Sequence, residues 1–240
     1  MSIVVKNLTK TYSARKAVDH LSLTIEQGEF FALLGQNGAG KTTTIKMLSC
    51  LLLPTSGDAW MVDDSIVTNP MAVKQNINLS PQETAVNPNL TVKENLEFIA
   101  SIYGYNQREA KQKSVDMMDR FGLTERARSK AKTLSGGLQR RLSIAMALIS
   151  DPKIIFLDEP TLGLDIRARR DLWEILLVLK GKITIIVTTH YLEEVEALAD
   201  RVGIMHGGTL HALGTVEELK VKTGKSSLEE IFLALTEEEA

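Results

Sequence analysis

Residues 30–34, FFALL, run directly into GQNGAGKT at 35–42. Helical apolar spacing then continues at Ile45, Leu48, Leu51 and Leu52 until Pro54. A short, continuously apolar run suits a strand buried on both faces, and Pro54 marks the end of a helix expected over 41–53. Between them lies a loop with Gly35, Gly38 and Gly40. An anion needs several backbone N–H groups converging on it, and glycines remove the side chains that would block that approach. The helix that follows aims its N-terminus and positive dipole end at the same point. Lys41 can reach β- and γ-phosphates, and the Thr42 hydroxyl can bind Mg²⁺.

The remaining pattern places this unit in a larger sheet. Residues 3–8 and 21–25 alternate apolar with polar, as half-exposed strands do, and 57–68 reads as a further short strand pair. TVKE at 91–94 is a capping box, so a helix should run from there to about Tyr103, with Gly104 ending it. Residues 107–121 and 137–149 also carry helical periodicity, which makes 87–150 a mainly helical insert. From 151 a strand, a helix, a strand and a helix are expected over 153–157, 167–180, 183–188 and 191–199, a succession that indicates a parallel α/β sheet. Gly207 and Gly208 supply the turn of a hairpin over 202–213. Thr215 caps another helix, residues 227–236 form an amphipathic one, and 237–240 is expected to be a frayed acidic tail. The domain reading is one unit over 1–240. Its α/β core spans 1–86 and 151–216 with an N-terminal β part, and C-terminal helices and tail occupy 217–240.

Two further segments carry chemistry. The run IIFL at 154–157 ends in Asp158 and Glu159. Ligands of open α/β sheets sit at the carboxyl ends of strands, which puts these carboxylates beside the glycine loop. Asp158 could hold Mg²⁺ through water, and Glu159 could orient or deprotonate an attacking water. LSGG at 134–137 opens a second helix with glycines. By itself Ser135 reads as a plain N-cap. Its free N–H groups also make a second anion site. One glycine loop already surrounds most of a triphosphate, so the second site would serve a nucleotide held by another copy.

GQNGAGKTT, LSGGLQRR, IIFLDEP, GLD at 163–165 and His190, in that order, resemble the nucleotide-binding subunit of an ATP-binding-cassette transporter. The match spans nearly the whole chain. The resemblance implies a P-loop NTPase (RecA-like) α/β core, an antiparallel β subdomain and a helical insert subdomain. It implies an ATPase using ATP and Mg²⁺, with Gly35, Gln36, Asn37, Gly38, Ala39, Gly40, Lys41, Thr42 and Thr43 on the nucleotide. Thr42, Gln82 and Asp158 would serve the metal; Glu159, His190 and Gln82 would serve catalysis. Ser135, Gly136, Gly137 and Asp165 would reach across a dimer interface, His190 would contact the γ-phosphate, and Tyr12 would stack on adenine. On residues alone Tyr12 is equally a strand tyrosine, Gln82 a solvated loop amide, and His190 a capping or core residue. Gln36 stands where a proline is frequent in the family, and Leu138 and Gln139 replace the usual end of the signature. Backbone contacts and Ser135–Gly137 survive both departures.

The resemblance further implies a transmembrane permease partner, a second copy as homodimer on ATP, and a cytoplasmic, peripheral location at the inner face of the cell membrane. Residues 87–96 and 227–236 are similar to an exporter branch that includes drug, antibiotic and polysaccharide exporters, although both stretches also read as amphipathic helices packing on the core. The rival reading is a soluble cassette ATPase acting on nucleic acid or ribosomes. A formal net charge of −2 over 240 residues gives no reason to expect nucleic-acid binding. The apolar runs are strand length, against about 20 residues for a spanning helix, so direct membrane insertion is not expected. A kinase or GTPase would give the Ser135 segment no purpose, and no NKxD guanine motif is present. Cys50 is the single cysteine, which excludes an internal disulfide and suits a reducing compartment; it is expected as a small apolar residue on the 41–53 helix. His206 and His211 lack a third metal ligand. Arg140, Arg141, Arg167, Arg169 and Arg170 read as solvated helix faces.

Overall fold

The computed structural model describes residues 3–236, so the tail expected at 237–240 lies outside the described residues. In chain order, β1 (Ile3–Tyr12), β2 (Arg15–Ile25) and β3 (Phe30–Gly35) lead to α1 (Lys41–Leu48). There follow β4 (Ser56–Met61), β5 (Asp64–Ser65), α2 (Pro70–Asn76) and β6 (Ile77–Ser80). Three helices come next: α3 (Val92–Ile102), α4 (Gln107–Arg120) and α5 (Gly136–Leu148). The chain then alternates through β7 (Ile154–Asp158), α6 (Ile166–Leu179), β8 (Thr184–Thr189) and α7 (Leu192–Leu198). It closes with the hairpin β9 (Arg201–His206) and β10 (Thr209–Gly214), then α8 (Val216–Thr223) and α9 (Leu228–Thr236).

Two sheets result. One is four-stranded and antiparallel, in the order β2-β1-β4-β5. The other has the order β10-β9-β3-β8-β7-β6, with β10 antiparallel to β9 and every other pair parallel. The central strands β3, β7 and β8 are buried along their whole length, which explains their apolar runs FFALL, IIFL and IIV. Phe30, Ala32 and Leu34 of β3 join the core under the helices, whereas Phe31 and Leu33 join the core under the antiparallel sheet. Ile155 and Leu157 of β7 divide from Ile154 and Phe156 in the same way. The period-2 alternation of side chains thus joins the two layers through one sheet.

The helical layer α3–α5 enters after β6 and returns into β7, its spatial neighbour. Capping boxes at Thr91 and Asn106 start α3 and α4, each with a glutamate at the third helical position reaching back to the cap.

Two local expectations are corrected. The helix after the glycine loop ends at Leu48, not Leu53. Cys50 takes φ 56° beyond it, and the Leu51 and Leu52 amides both donate to the Lys46 carbonyl. That closure satisfies orphan carbonyls of the last turn and throws Leu51 and Leu53 to the surface, 63% and 66% exposed. Cys50 is therefore off the helix and half-buried, and burial pushes its thiol above the ordinary value. Helix α2 and strand β6 form a pair that no sequence signal announced.

Candidate functional site

The ends of β3, β7 and β8 meet because their parallel registers are nearly level. Leu34 pairs with Thr189, and Asp158 with Thr188. The residues that follow each strand therefore open onto one pocket of about 500 Å³. Its walls include Tyr12, Gln36 through Thr43, Gln82, Glu159 and His190, with Arg15, Ala17 and Leu162 as additions from outside the motifs.

Close backbone approach is what the loop glycines provide. A Cβ on Gly35 would stand 2.5 Å from the Met205 carbonyl oxygen. Gly40, the N-cap of α1, has φ +102°, and a Cβ there would meet the Ala17 carbonyl oxygen at 2.5 Å. Neither position admits another residue without shifting backbone.

Lys41 is 5% exposed, and its ammonium is fully engaged. Nζ donates to the Gly35 carbonyl at 2.7 Å and the Gln36 carbonyl at 3.2 Å, and it pairs with Glu159 Oε1 at 3.1 Å. Those three acceptors match the three protons of a lysine. Glu159 is 6% exposed, and its second oxygen faces His190 Nδ1 at 2.7 Å. Its backbone has φ 47°, a left-handed conformation that costs a non-glycine residue about 1–3 kcal/mol. Its N–H donates to the Thr188 carbonyl at 3.1 Å and the Thr188 hydroxyl at 3.0 Å, which holds the turn. The turn breaks the alternation of β7 and aims the carboxylate into the pocket instead of back into the sheet.

Asp158 lies one residue deeper and is 4% exposed. Its Oδ1 accepts from the Thr42 hydroxyl at 3.1 Å and from the Thr188 hydroxyl at 2.5 Å. Hydroxyl, carboxylate and the nearby Gln82 amide are hard oxygen donors of the kind Mg²⁺ takes alongside water and substrate phosphates. The residues present therefore fit the metal that the sequence implies.

Arg140 overturns its reading as part of a solvated face. It is 4% exposed. Its Nε donates to the Pro160 carbonyl at 3.0 Å, Nη2 to the Asp158 carbonyl at 2.8 Å, and Nη1 to the carbonyls of Pro81 and Gln82. Burial lowers its pKa to about 10, which still leaves it charged at neutral pH. One guanidinium on the helix opened by Ser135 thus fastens both the carboxylate turn and the Gln82 loop. The signal was present in the helical spacing, since Arg140 shares a face with buried Ile144 and Ala147 at i+4 and i+7. Arg141 pairs with Asp171 at 2.6 Å, and Arg169 also lies mostly against protein.

Glu194 is a second buried group outside the motifs, with no exposed surface. Desolvation pushes its pKa up and the Glu159 charge pushes the same way, while the polar Thr189, Trp173 and Thr161 side chains beside it oppose the shift. Trp173 Nε1 donates to its Oε1 at 3.2 Å.

Tyr12 stands at the pocket mouth, 48% exposed, with Lys10 Nζ 5.4 Å from its ring centroid. The remaining expected residues lie elsewhere. Ser135 is exposed and caps α5, accepting from the Leu138 amide at 3.4 Å. Asp165 is exposed and caps α6, accepting from the Ala168 amide at 2.8 Å. Neither these two nor Gly136 and Gly137 line the pocket of their own chain.

A sequence profile of the ABC transporter family matches residues 18–162, more than half of the chain. The linearmycin resistance ATP-binding protein LnrL of Bacillus subtilis (strain 168) is 40% identical over 224 residues, covering 93% of this chain and 72% of that protein. The daunorubicin/doxorubicin resistance ATP-binding protein DrrA of Streptomyces peucetius is 39% identical over 228 residues, covering 95% and 69%. The ATP-binding cassette MJ0796, solved as a dimer in a post-hydrolysis state bound to ADP and Pi, superposes with a TM-score of 0.80. It is 27% identical, over 89% of this chain and 98% of that one.

Proposed function

This chain belongs to the ABC transporter family as an ATP-binding, ATP-hydrolysing subunit, and from that premise we propose that two copies enclose two ATP molecules and so drive a separate membrane permease in the export direction. The observation that carries the shared site is a separation within one chain. Lys41, Glu159 and His190 line the pocket, whereas the Ser135 and Asp165 helix starts stand exposed away from it. The Ser135 helix end, glycine-rich and turned outward, is an anion site suited to a nucleotide held by another copy, and Asp165 would cross the same interface.

In this reading the triphosphate lies along Gln36–Thr43, with adenine against Tyr12. Thr42, Gln82 and Asp158 would hold Mg²⁺, which would supply charge neutralisation to the phosphates. A phosphate oxygen reaching Lys41 Nζ takes the place of one of its three acceptors. The Gly35 and Gln36 carbonyls are fixed by the loop, so Glu159 is the acceptor that yields. Glu159 then accepts a proton from the attacking water, while His190 Nδ1 holds its other oxygen in place. ATP favours the closed pair only through contacts the open form lacks, and these are the ones made by Ser135–Gly137 and Asp165. Arg140 joins the Ser135 helix to the Gln82 loop, a physical link between the second copy and the edge proposed to meet the permease.

The resistance names of LnrL and DrrA support export. No helix among the described residues is long and apolar enough to cross a membrane, so the transmembrane path is assigned to a partner permease, which would hold this chain at the inner face of the membrane.

Substitution of Ser135 tests the shared site. Ser135→Arg is expected to leave ATP binding by the single chain unchanged, abolish ATP-dependent pairing in light scattering, and reduce hydrolysis to background. Ser135→Ala removes only the cap, at about 1 kcal/mol of stability, and should still pair. Normal pairing by Ser135→Arg would refute the second-site assignment.

A further inference from the structure

His190 has one hydrogen bond to Glu159, and a single bond does not fix the plane of an imidazole ring. The ring that lies against it belongs to Tyr191. The two centroids are 4.1 Å apart with planes inclined at 40°. The Arg169 guanidinium carbon lies 4.3 Å from the Tyr191 centroid. Arg169 comes from α6, Tyr191 is the N-cap of α7, and His190 is the residue between β8 and that cap. The β8–α7 connection therefore contributes two layers and α6 the third to a stack that ends on Glu159.

An ordinary ion pair does not account for the position of Arg169. Its side chain is 18% exposed, its nearest carboxylate is Glu193 Oε2 at 3.7 Å, and the Glu193 side chain is 80% exposed. A pair with so solvated a partner contributes little. Arg169 Nε is moreover buried without a hydrogen-bond partner among the described residues, a cost that solvation would have relieved. The guanidinium is held over the aromatic face, where a cation is attracted by the ring quadrupole. Tyr191 in turn is anchored through its own N–H, which donates to the Thr189 hydroxyl at 3.0 Å. Its phenol hydroxyl makes no hydrogen bond among the described residues, so the ring is the part in use. One turn along α6, Trp173 bonds Glu194 of α7 at 3.2 Å, which locks the two helices in register.

We propose that Arg169 and Tyr191 are positioning residues for His190. Their stack holds the imidazole in the orientation in which Nδ1 serves Glu159 and Nε2 remains for the phosphate. The Arg169 amide donates to the Asp165 carbonyl at 3.0 Å, so the stack also ties His190 to the exposed start of α6. This proposal rests on the reading of His190 as a contact of the γ-phosphate.

The test is steady-state hydrolysis by Tyr191→Leu, Tyr191→Phe, Arg169→Gln and Arg169→Lys, alone and combined with His190→Ala, with thermal unfolding confirming the fold. Aromatic and cation–aromatic contacts of this type are worth about tenfold in a rate. Tyr191→Leu and Arg169→Gln are expected to lower kcat by about tenfold, with KM for ATP within about twofold. Tyr191→Phe should retain nearly full activity and Arg169→Lys an intermediate level. In the His190→Ala background the same changes should have no further effect. Should Tyr191→Leu fail to fold, Arg169→Gln decides the question. An unchanged kcat in these variants, or an equal loss without His190, overturns the proposal. A normal kcat in His190→Ala alone would instead overturn the reading of His190 on which it rests.

Discussion

Glu159→Gln is expected to lower the rate of ATP hydrolysis by about 10²–10⁴-fold, the usual contribution of a general base, while ATP still binds. The side chain is 6% exposed and sits between Lys41 at 3.1 Å and His190 at 2.7 Å. An amide of the same shape fills that space and can still accept a hydrogen bond from either neighbour. It cannot accept the proton of an attacking water. It also removes a negative charge that opposes the triphosphate, so affinity for ATP should be held or increased. The chain should then stall in its ATP-bound form. Phosphate release measured beside equilibrium nucleotide binding separates the two effects. Undiminished turnover would remove Glu159 from the mechanism.

Lys41→Ala should act on the other quantity and lose most nucleotide affinity, by about 10²-fold or more. Charge-assisted hydrogen bonds contribute about 1.5–3 kcal/mol each, and Lys41 is placed to give more than one to the phosphates. The variant has a second consequence. It strips Glu159 of its cation and leaves a buried carboxylate with His190 alone. Breaking a buried pair on one side costs about 3–5 kcal/mol, so the thermal midpoint should fall as well. Binding must be measured by titration well below that midpoint. ATP affinity equal to that of the unmodified chain would contradict the cradle.

What could be read from the sequence was what is local. The strand at β3, its glycine loop and the start of α1 are contiguous, and the period of each segment announces it. The capping boxes at Thr91, Asn106 and Thr215 close within four residues. Strand β6 was missed because four residues carry no period, and its strand character comes from pairing with β7 far along the chain. The end of α1 was misplaced for a related reason. Leu51 and Leu52 continue the helical spacing, but the left-handed turn at Cys50 breaks the helix, and Leu51 lies on the surface. Arg140 shows the limit most clearly. Its helical spacing places it on the face of Ile144 and Ala147 but does not name its partners, because the carbonyls that receive it lie 18 to 59 positions away. The motifs named most of the groups that line the pocket. The groups packed behind them, Arg140 on the carboxylate turn, buried Glu194 and the Arg169–Tyr191 stack beside His190, come from tertiary structure that no motif encodes.

The sharing of each nucleotide between two copies is tested most directly by the mass of the stalled particle. Sedimentation of Glu159→Gln with ATP should give a species of two chains carrying two nucleotides, which disperses to single chains when ATP is withdrawn. A single chain that keeps its ATP shielded from solvent, at concentrations where the site is saturated, would contradict the account.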